Sequence, residues 1–268
     1  MQLDLDALAK RVPDGARLGV PADYSGVPMA LTLALIRRGV RDLRLFCLPT
    51  GSLHVDVLIG AGAVAEIETS AVSLGEFGLA PCFSRAVEAG VVVVRDATCP
   101  AMHAQLTATE RGIPFMPMRG LLGSDILAHR PDWTVVDNPL QPGDPIVLLP
   151  AVKLDVAIFH APLADAEGNV WIGRRRELAT LAHAADRSLV TVEAVVPGSF
   201  FEQEETAAGA LSGLYVEAVA EVPGGARPLG LGDRYGVDAA AMRAYTRAAR
   251  SEAGFAAWLD AALGRVPS

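Results

Sequence analysis

Residues 17–48 read RLGVPADYSGVPMALTLALIRRGVRDLRLFCL. Arg17 to Pro21 is an apolar run suited to a strand, and it empties into Pro21-Ala22-Asp23-Tyr24-Ser25-Gly26. Pro28 then opens a helix, a favoured place for proline because its missing N–H would have no partner there. The helix runs through Met29 to Ile36 and stops at Gly39, with Arg37 and Arg38 near its negative end. Leu43 to Leu48 is the next strand. Strand, helix and strand in such close succession predict a mostly parallel sheet covered by helices.

The same alternation continues outward. Val55 to Ile59 reads as a strand entering Gly60-Ala61-Gly62, and Phe83 to Ala89 as a helix ending at Gly90. Val91 to Val94 reads as a strand buried on both faces. A helix follows from about Pro100 to Glu110. Ile113 to Gly143 is rich in proline and glycine and is expected to be a lid, an arm or a partner contact. Further strands are expected at Ile146–Leu149, Val156–Phe159, Leu189–Glu193 and Leu214–Val219, with a helix at Glu177–Ala185. Two alanine-rich helices, at about 239–250 and 254–263, close the chain. No linker interrupts it. The expectation is one domain over residues 1–268, with a core at about 16–222 and C-terminal helices at about 238–264. The fold class is α/β, an open mostly parallel sheet with flanking helices and a helical C-terminal tail.

Composition narrows the function. The chain has 268 residues, 51% of them hydrophobic, and a mean hydropathy of +0.32. That supports a large core or a buried partner surface. The apolar runs are far shorter than the ~20 residues that span a bilayer, so no membrane segment is expected. Met1-Gln2-Leu3-Asp4, with no basic region before an apolar run, is not expected to open a secretory signal. A net charge of −8, with Arg174-Arg175-Arg176 as the densest basic run, disfavours nucleic acid as a partner. Cys47, Cys82 and Cys99 include no C-x-x-C pair and are read as reduced thiols in a cytoplasmic protein. The five histidines lack metal-ligand spacing, so no metal is expected.

Single motifs are ambiguous. Gly60-Ala61-Gly62-Ala63-Val64-Ala65 fits a dinucleotide pattern, but a tight turn at a strand exit explains it better. Ser73-Leu74-Gly75-Glu76-Phe77-Gly78 places a carboxylate between two glycines, where a sharp turn would present it as base or nucleophile. A plain surface acid is the alternative. Arg119 and Ser124, with Gly123 between them, could hold an anion; a helix cap at Ser124 or Asp125 is the competing reading.

The order of several blocks carries more weight. They are Val27-Pro28-Met29-Ala30 with Leu35-Ile36-Arg37-Arg38-Gly39; Asp56 to Gly62; Phe77 to Gly90; Gly112 to Arg119 with Gly123-Ser124-Asp125; Asp155 to Ala161; and Asp165 with Gly168-Asn169. Together they resemble the A (alpha) subunit of family I CoA-transferases of the glutaconate CoA-transferase type, over roughly Gly19 to Val196. The resemblance implies an active site between this chain and a B-type partner chain. There a glutamate attacks an acyl-CoA to give an acyl-glutamyl anhydride and CoA thiolate. The thiolate attacks the glutamyl carbonyl of the anhydride, releasing the donor carboxylate and giving a glutamyl-CoA thioester, which an acceptor carboxylate resolves. In this type the nucleophile belongs to the partner, and CoA is a substrate, not a resident cofactor.

Residues implied to shape the pocket or hold the oxyanion are Tyr24, Ser25, Gly26, Ser73, Gly75, Gly78, Arg119, Gly123 and Ser124. Glu76 is the candidate if the nucleophile is in this chain. Two departures stand out. Where the family carries a Gly-Gly-Phe-like element this chain has Gly19 to Gly26 with Pro21, which lacks an N–H. Where many A chains carry a Glu-x-x-Ser-like element it has Arg95-Asp96-Ala97-Thr98. The competing functions are an acyl-CoA hydrolase or self-contained transferase using Glu76, a non-catalytic ligand-binding module, and a nicotinamide enzyme built on Gly60 to Ala65.

Overall fold

The computed structural model describes residues 1–265. In chain order, α1 spans Leu5–Ala9, β1 Arg17–Val20, α2 Met29–Arg37, β2 Leu43–Cys47, α3 Leu53–Gly60, β3 Val64–Thr69, α4 Pro81–Glu88, β4 Val93–Asp96 and α5 Cys99–Glu110. Next come β5 Phe115–Met118, α6 Ile126–His129, β6 Thr134–Asp137, β7 Pro145–Pro150, β8 Val156–Asp165, β9 Val170–Trp171, α7 Arg176–His183 and β10 Ser188–Val196. The last elements are α8 Glu204–Ala207, β11 Ala210–Leu211, β12 Val216–Glu221, α9 Ala239–Ala248 and α10 Glu252–Ala262.

The main sheet runs β12-β10-β8-β1-β2-β3-β4, and every one of these pairings is parallel. β9 and β11 extend it antiparallel from the far end of β8. The chain winds outward in two directions. One arm goes from β1 through β2 and β3 to β4, the other from β8 through β10 to β12. The order therefore reverses between β1 and β8, and in open α/β sheets ligands settle outside the strand carboxyl ends at such a point.

Alternation decides the core. Leu18, Val20, Leu45, Cys47 and Ile67 project from one face and are buried with Leu31, Leu35, Val55 and Leu58 of α2 and α3. Phe46 projects from the other face, among Leu106, Trp133, Val147 and Leu181. The C-terminal helices are fastened to α3 and α4 through Asp56. Its carboxylate accepts from the Tyr245 hydroxyl at 2.5 Å and from the Phe83 backbone N–H at 2.7 Å.

Two local expectations are corrected. Val55 to Ile59 belongs to helix α3, not to a strand. Leu53 to Ile59 is buried residue by residue, so its sequence shows no period that separates helix from strand. Consequently Gly60-Ala61-Gly62 ends a helix and precedes β3, with Gly62 at φ +69°. A dinucleotide fingerprint needs the reverse order, strand then helix. Next, β4 is an edge strand with no neighbour beyond it, so Val91 and Val93 are 71% and 58% exposed rather than buried on both faces. Residues 113–143, rich in proline and glycine, also carry regular structure. β5 and β6 pair antiparallel with β7 in a small sheet of order β5-β7-β6. These strands are four residues each with many exposed positions, which hides them in the sequence.

Candidate active site

The residues after β1 lie at the reversal point. The His160 N–H of β8 donates to the Gly26 carbonyl at 2.7 Å. Gly26 sits at φ +71°, and a Cβ there would stand 1.9 Å from the His160 carbonyl oxygen. Only glycine fits. Beside it, the buried Ser25 hydroxyl donates to Glu177, in the first turn of α7. Tyr24 projects outward, 53% exposed, with the Arg175 guanidinium 4.9 Å from its ring centre. The Gly26 N–H meets no backbone acceptor among the described residues.

Two crevices flank Tyr24. The first, about 490 Å³, runs between Tyr24-Ser25-Gly26 and the side of His160 and Trp171. Arg174, Arg175 and Arg234 line it against one acid, Asp233. None of these three arginines forms an ion pair among the described residues, while elsewhere arginines are paired repeatedly. The second crevice, about 400 Å³, contains Asp23, Gly75, Glu76 and Tyr235 and shares Tyr24 and Arg175 with the first. Burial raises the Asp23 carboxyl and, with Glu177 nearby, the Tyr24 hydroxyl.

A polar network backs the first crevice. His160 is fully buried, and burial pushes its pKa down, so the ring is neutral at pH 7. Its Nε2 lies 2.7 Å from Glu193 Oε1 and its Nδ1 2.8 Å from Thr191 Oγ1. A carboxylate only accepts, so Nε2 carries the proton and Nδ1 accepts from the threonine. Glu193 also accepts from the Tyr235 hydroxyl at 2.6 Å and from the Gly224 N–H at 2.9 Å. These donors hold its carboxyl below the usual range against the opposing effect of burial. The network thus anchors residues 224–235, whose stretch Leu231-Gly232-Asp233-Arg234 crosses the first crevice.

The expected site residues separate into two groups. Tyr24, Ser25 and Gly26 line the first crevice; Gly75 and Glu76 line the second. Ser73 Oγ accepts from the Gly75 N–H at 3.1 Å, and Gly75 and Gly78 take φ +62° and +104°. Glu76 therefore stands on a sharp exposed turn, with no ion-pair partner among the described residues. Arg119, Gly123 and Ser124 border neither crevice. Asp144 holds Arg119 through two hydrogen bonds, one of 2.8 Å, and Ser124 Oγ accepts from the Ile126 N–H at 3.3 Å at the start of α6. Arg95 also points elsewhere, pairing with Asp132 at 3.0 Å.

Several site residues escape sequence reasoning. Arg175 reads only as the middle of a basic run, and Glu177 as the start of a helix. Glu193 leaves a trace, a lone carboxylate in an apolar strand. Tyr235 joins it across 42 positions, which no local pattern shows.

Comparison with known proteins fits this geometry. Residues 5–221 match the family model described as Coenzyme A transferase. The chain is 28% identical to the A (alpha) subunit of glutaconate CoA-transferase from Acidaminococcus fermentans, over 94% of this chain and 84% of that one. It is 30% identical to a cholesterol ring-cleaving hydrolase IpdA subunit of Rhodococcus jostii, over 93% of this chain and 87% of that one. The crystal structure of glutaconate coenzyme A-transferase from Acidaminococcus fermentans superposes with a TM-score of 0.91 at 24% identity, covering 99% of this chain and 89% of that one. Among the described residues no helix is long and apolar enough to cross a membrane.

Proposed function

This chain belongs to the coenzyme A transferase family, and on that footing we propose that it is the A-type chain of a two-chain enzyme moving CoA between an acyl-CoA thioester and a carboxylic acid. The observation that carries this reading is the first crevice. It offers a glycine N–H, the Tyr24 hydroxyl and three arginines without an ion pair among the described residues, and the acid that lines it is the exposed Asp233. It can bind anions and stabilise an oxyanion, but it holds no glutamate free to attack a thioester. The attacking carboxylate then comes from a partner docked over the opening.

Within that reading the roles follow from chemistry. The Gly26 N–H and the Tyr24 hydroxyl face the oxygen that becomes negative when the thioester carbonyl turns tetrahedral, replacing the donor that Pro21 lacks. Arg175 and Arg174 hold a carboxylate, either the acceptor acid or the far carboxylate of a dicarboxylic acyl group. The similarity to a glutaconate enzyme supports the dicarboxylic choice. CoA passes through as a substrate. The cytoplasm, with its acyl-CoA pool, is the proposed setting, and the three free thiols agree with it.

A second reading is favoured by one observation: Glu76, on its exposed turn, borders the crevice that shares Tyr24 and Arg175. Glu76 would then be the nucleophile in this chain. Co-purification from the native source, followed by assay of CoA transfer to added acids, separates the two. A second chain of similar size, with Glu76→Gln nearly as active as the parent, supports the two-chain reading. A homo-oligomer that Glu76→Gln inactivates overturns it. Thioester loss without any acceptor acid would show a hydrolase instead.

A further inference from the structure

The face of β1–β4 that carries Phe46 is unusually charged for a parallel sheet. Register puts Arg17 beside Arg44 and Arg44 beside Glu66 in one row, with Glu68 beside Arg95 two residues on. Strands covered on both faces normally read as apolar runs. Here α5 and the end of β7 leave a cavity of about 310 Å³ over the row, lined by Arg17, Arg44, Glu66, Arg95, Gln105 and Asp132. It shares no lining residue with the two crevices at the carboxyl ends of the strands.

Part of this charge is satisfied internally. Glu68 binds Arg17 at 2.9 Å and Arg130 at 2.7 Å, and Arg95 binds Asp132 at 3.0 Å. Three groups are left over. Arg44 donates its Nε to the Gly15 carbonyl at 3.3 Å but reaches a carboxylate, Asp155, only at 4.0 Å and is half exposed. Glu66 has no ion-pair partner among the described residues. Gln105 is 2% exposed, and its Nε2 donates to the Pro150 carbonyl, but its Oε1 is buried without a partner. A buried acceptor of that kind normally has a donor.

We propose that this cavity is a second ligand site, separate from the reaction centre, for a small zwitterionic α-amino acid. The leftover groups set the class. Arg44, with Arg17 beside it, takes the α-carboxylate. Glu66 and the orphan Gln105 Oε1 take the α-ammonium, which a plain anion lacks. The Arg95–Asp132 pair offers a donor and an acceptor to a polar side chain.

The test is calorimetric titration of the full-length chain, with any partner chain that co-purifies, using L-glutamine and its des-amino analogue. Saturable binding of L-glutamine, weakened at least tenfold by removing the amino group, is expected. Glu66→Gln should erase that tenfold preference, and Arg44→Gln should weaken both ligands. Arg175→Gln, in the other crevice, should leave the titration unchanged. No saturable binding at millimolar L-glutamine, equal binding of both ligands, or loss of binding in Arg175→Gln in place of Arg44→Gln would each overturn the proposal. All three variants are checked for an unchanged melting curve. The result does not depend on CoA transfer, so it stands or falls separately from the proposed activity.

Discussion

Three arginines in each of the two polar regions behave in opposite ways. On the charged face of β1–β4, Arg17, Arg95 and Arg130 each meet a carboxylate of this chain. At the carboxyl ends of β1 and β8, Arg174, Arg175 and Arg234 meet none among the described residues, although Arg175 is partly buried. Desolvating a cation without a counter-charge is costly. The first group is neutralised by carboxylates of this chain. The second has no counter-charge among the described residues, as the proposed binding of an anionic substrate group requires.

That contrast can be broken at its strongest point. Arg130 is 1% exposed, hydrogen-bonds Glu68 and the Asp96 carbonyl, and stacks 3.9 Å from the Trp133 ring. Arg130→Met should cost about 3–5 kcal/mol, because Glu68 keeps a buried charge with one partner fewer. The urea midpoint reads it. By contrast, Arg175→Met should leave the midpoint nearly unchanged, shifted by less than ~0.5 kcal/mol, while raising KM for the carboxylic acid. A large stability loss at Arg175 would end the distinction.

Glu193 tests the middle ground, a paired acid that also backs the crevice. Glu193→Gln should cost about 1–3 kcal/mol, since the His160, Tyr235 and Gly224 donors lose their charged acceptor. It should also loosen residues 231–234, read as faster amide exchange there.

Acid sharpens the same point. His160 has its folded pKa below the unfolded value of about 6.5. Its contribution is therefore complete above that pH and lost as pH falls toward its folded pKa. Glu193, also lowered, adds a loss below about pH 4.5. Melting temperature should fall from pH 7 to pH 5, and less steeply in His160→Gln. The smallest effect is expected at Arg119, which is 62% exposed and whose partner Asp144 keeps a second donor in Asn138. Arg119→Ala should leave both melting temperature and kcat unchanged.

Much of the fold is legible in the sequence for one physical reason. β8, the first half of β10 and most of β1 and β2 are parallel strand buried on both faces, so they appear as short valine- and leucine-rich runs. α3 fails the same reading because it too is buried all round. β4 fails because position at an edge is a property of the whole sheet, not of the run. Around the site, Tyr24-Ser25-Gly26 is visible as the turn leaving the first strand, and Ser73 to Gly78 as a turn bracketed by glycines. Arg175, Glu193 and Tyr235 become site residues only because α7, β10 and the segment before α9 converge on one opening. Arg119 shows the reverse: its surroundings in sequence suggest an anion site, but Asp144, folded back from the small sheet, already fills that role.

The central claim is that this chain supplies the pocket and a partner supplies the nucleophile. Intact mass of the native complex, taken after incubation with an acyl-CoA it turns over and before acceptor acid is added, tests it directly. A CoA adduct on the partner chain and none on this one is expected. An adduct mapped to Glu76 of this chain, or turnover by this chain with no partner present, would contradict it.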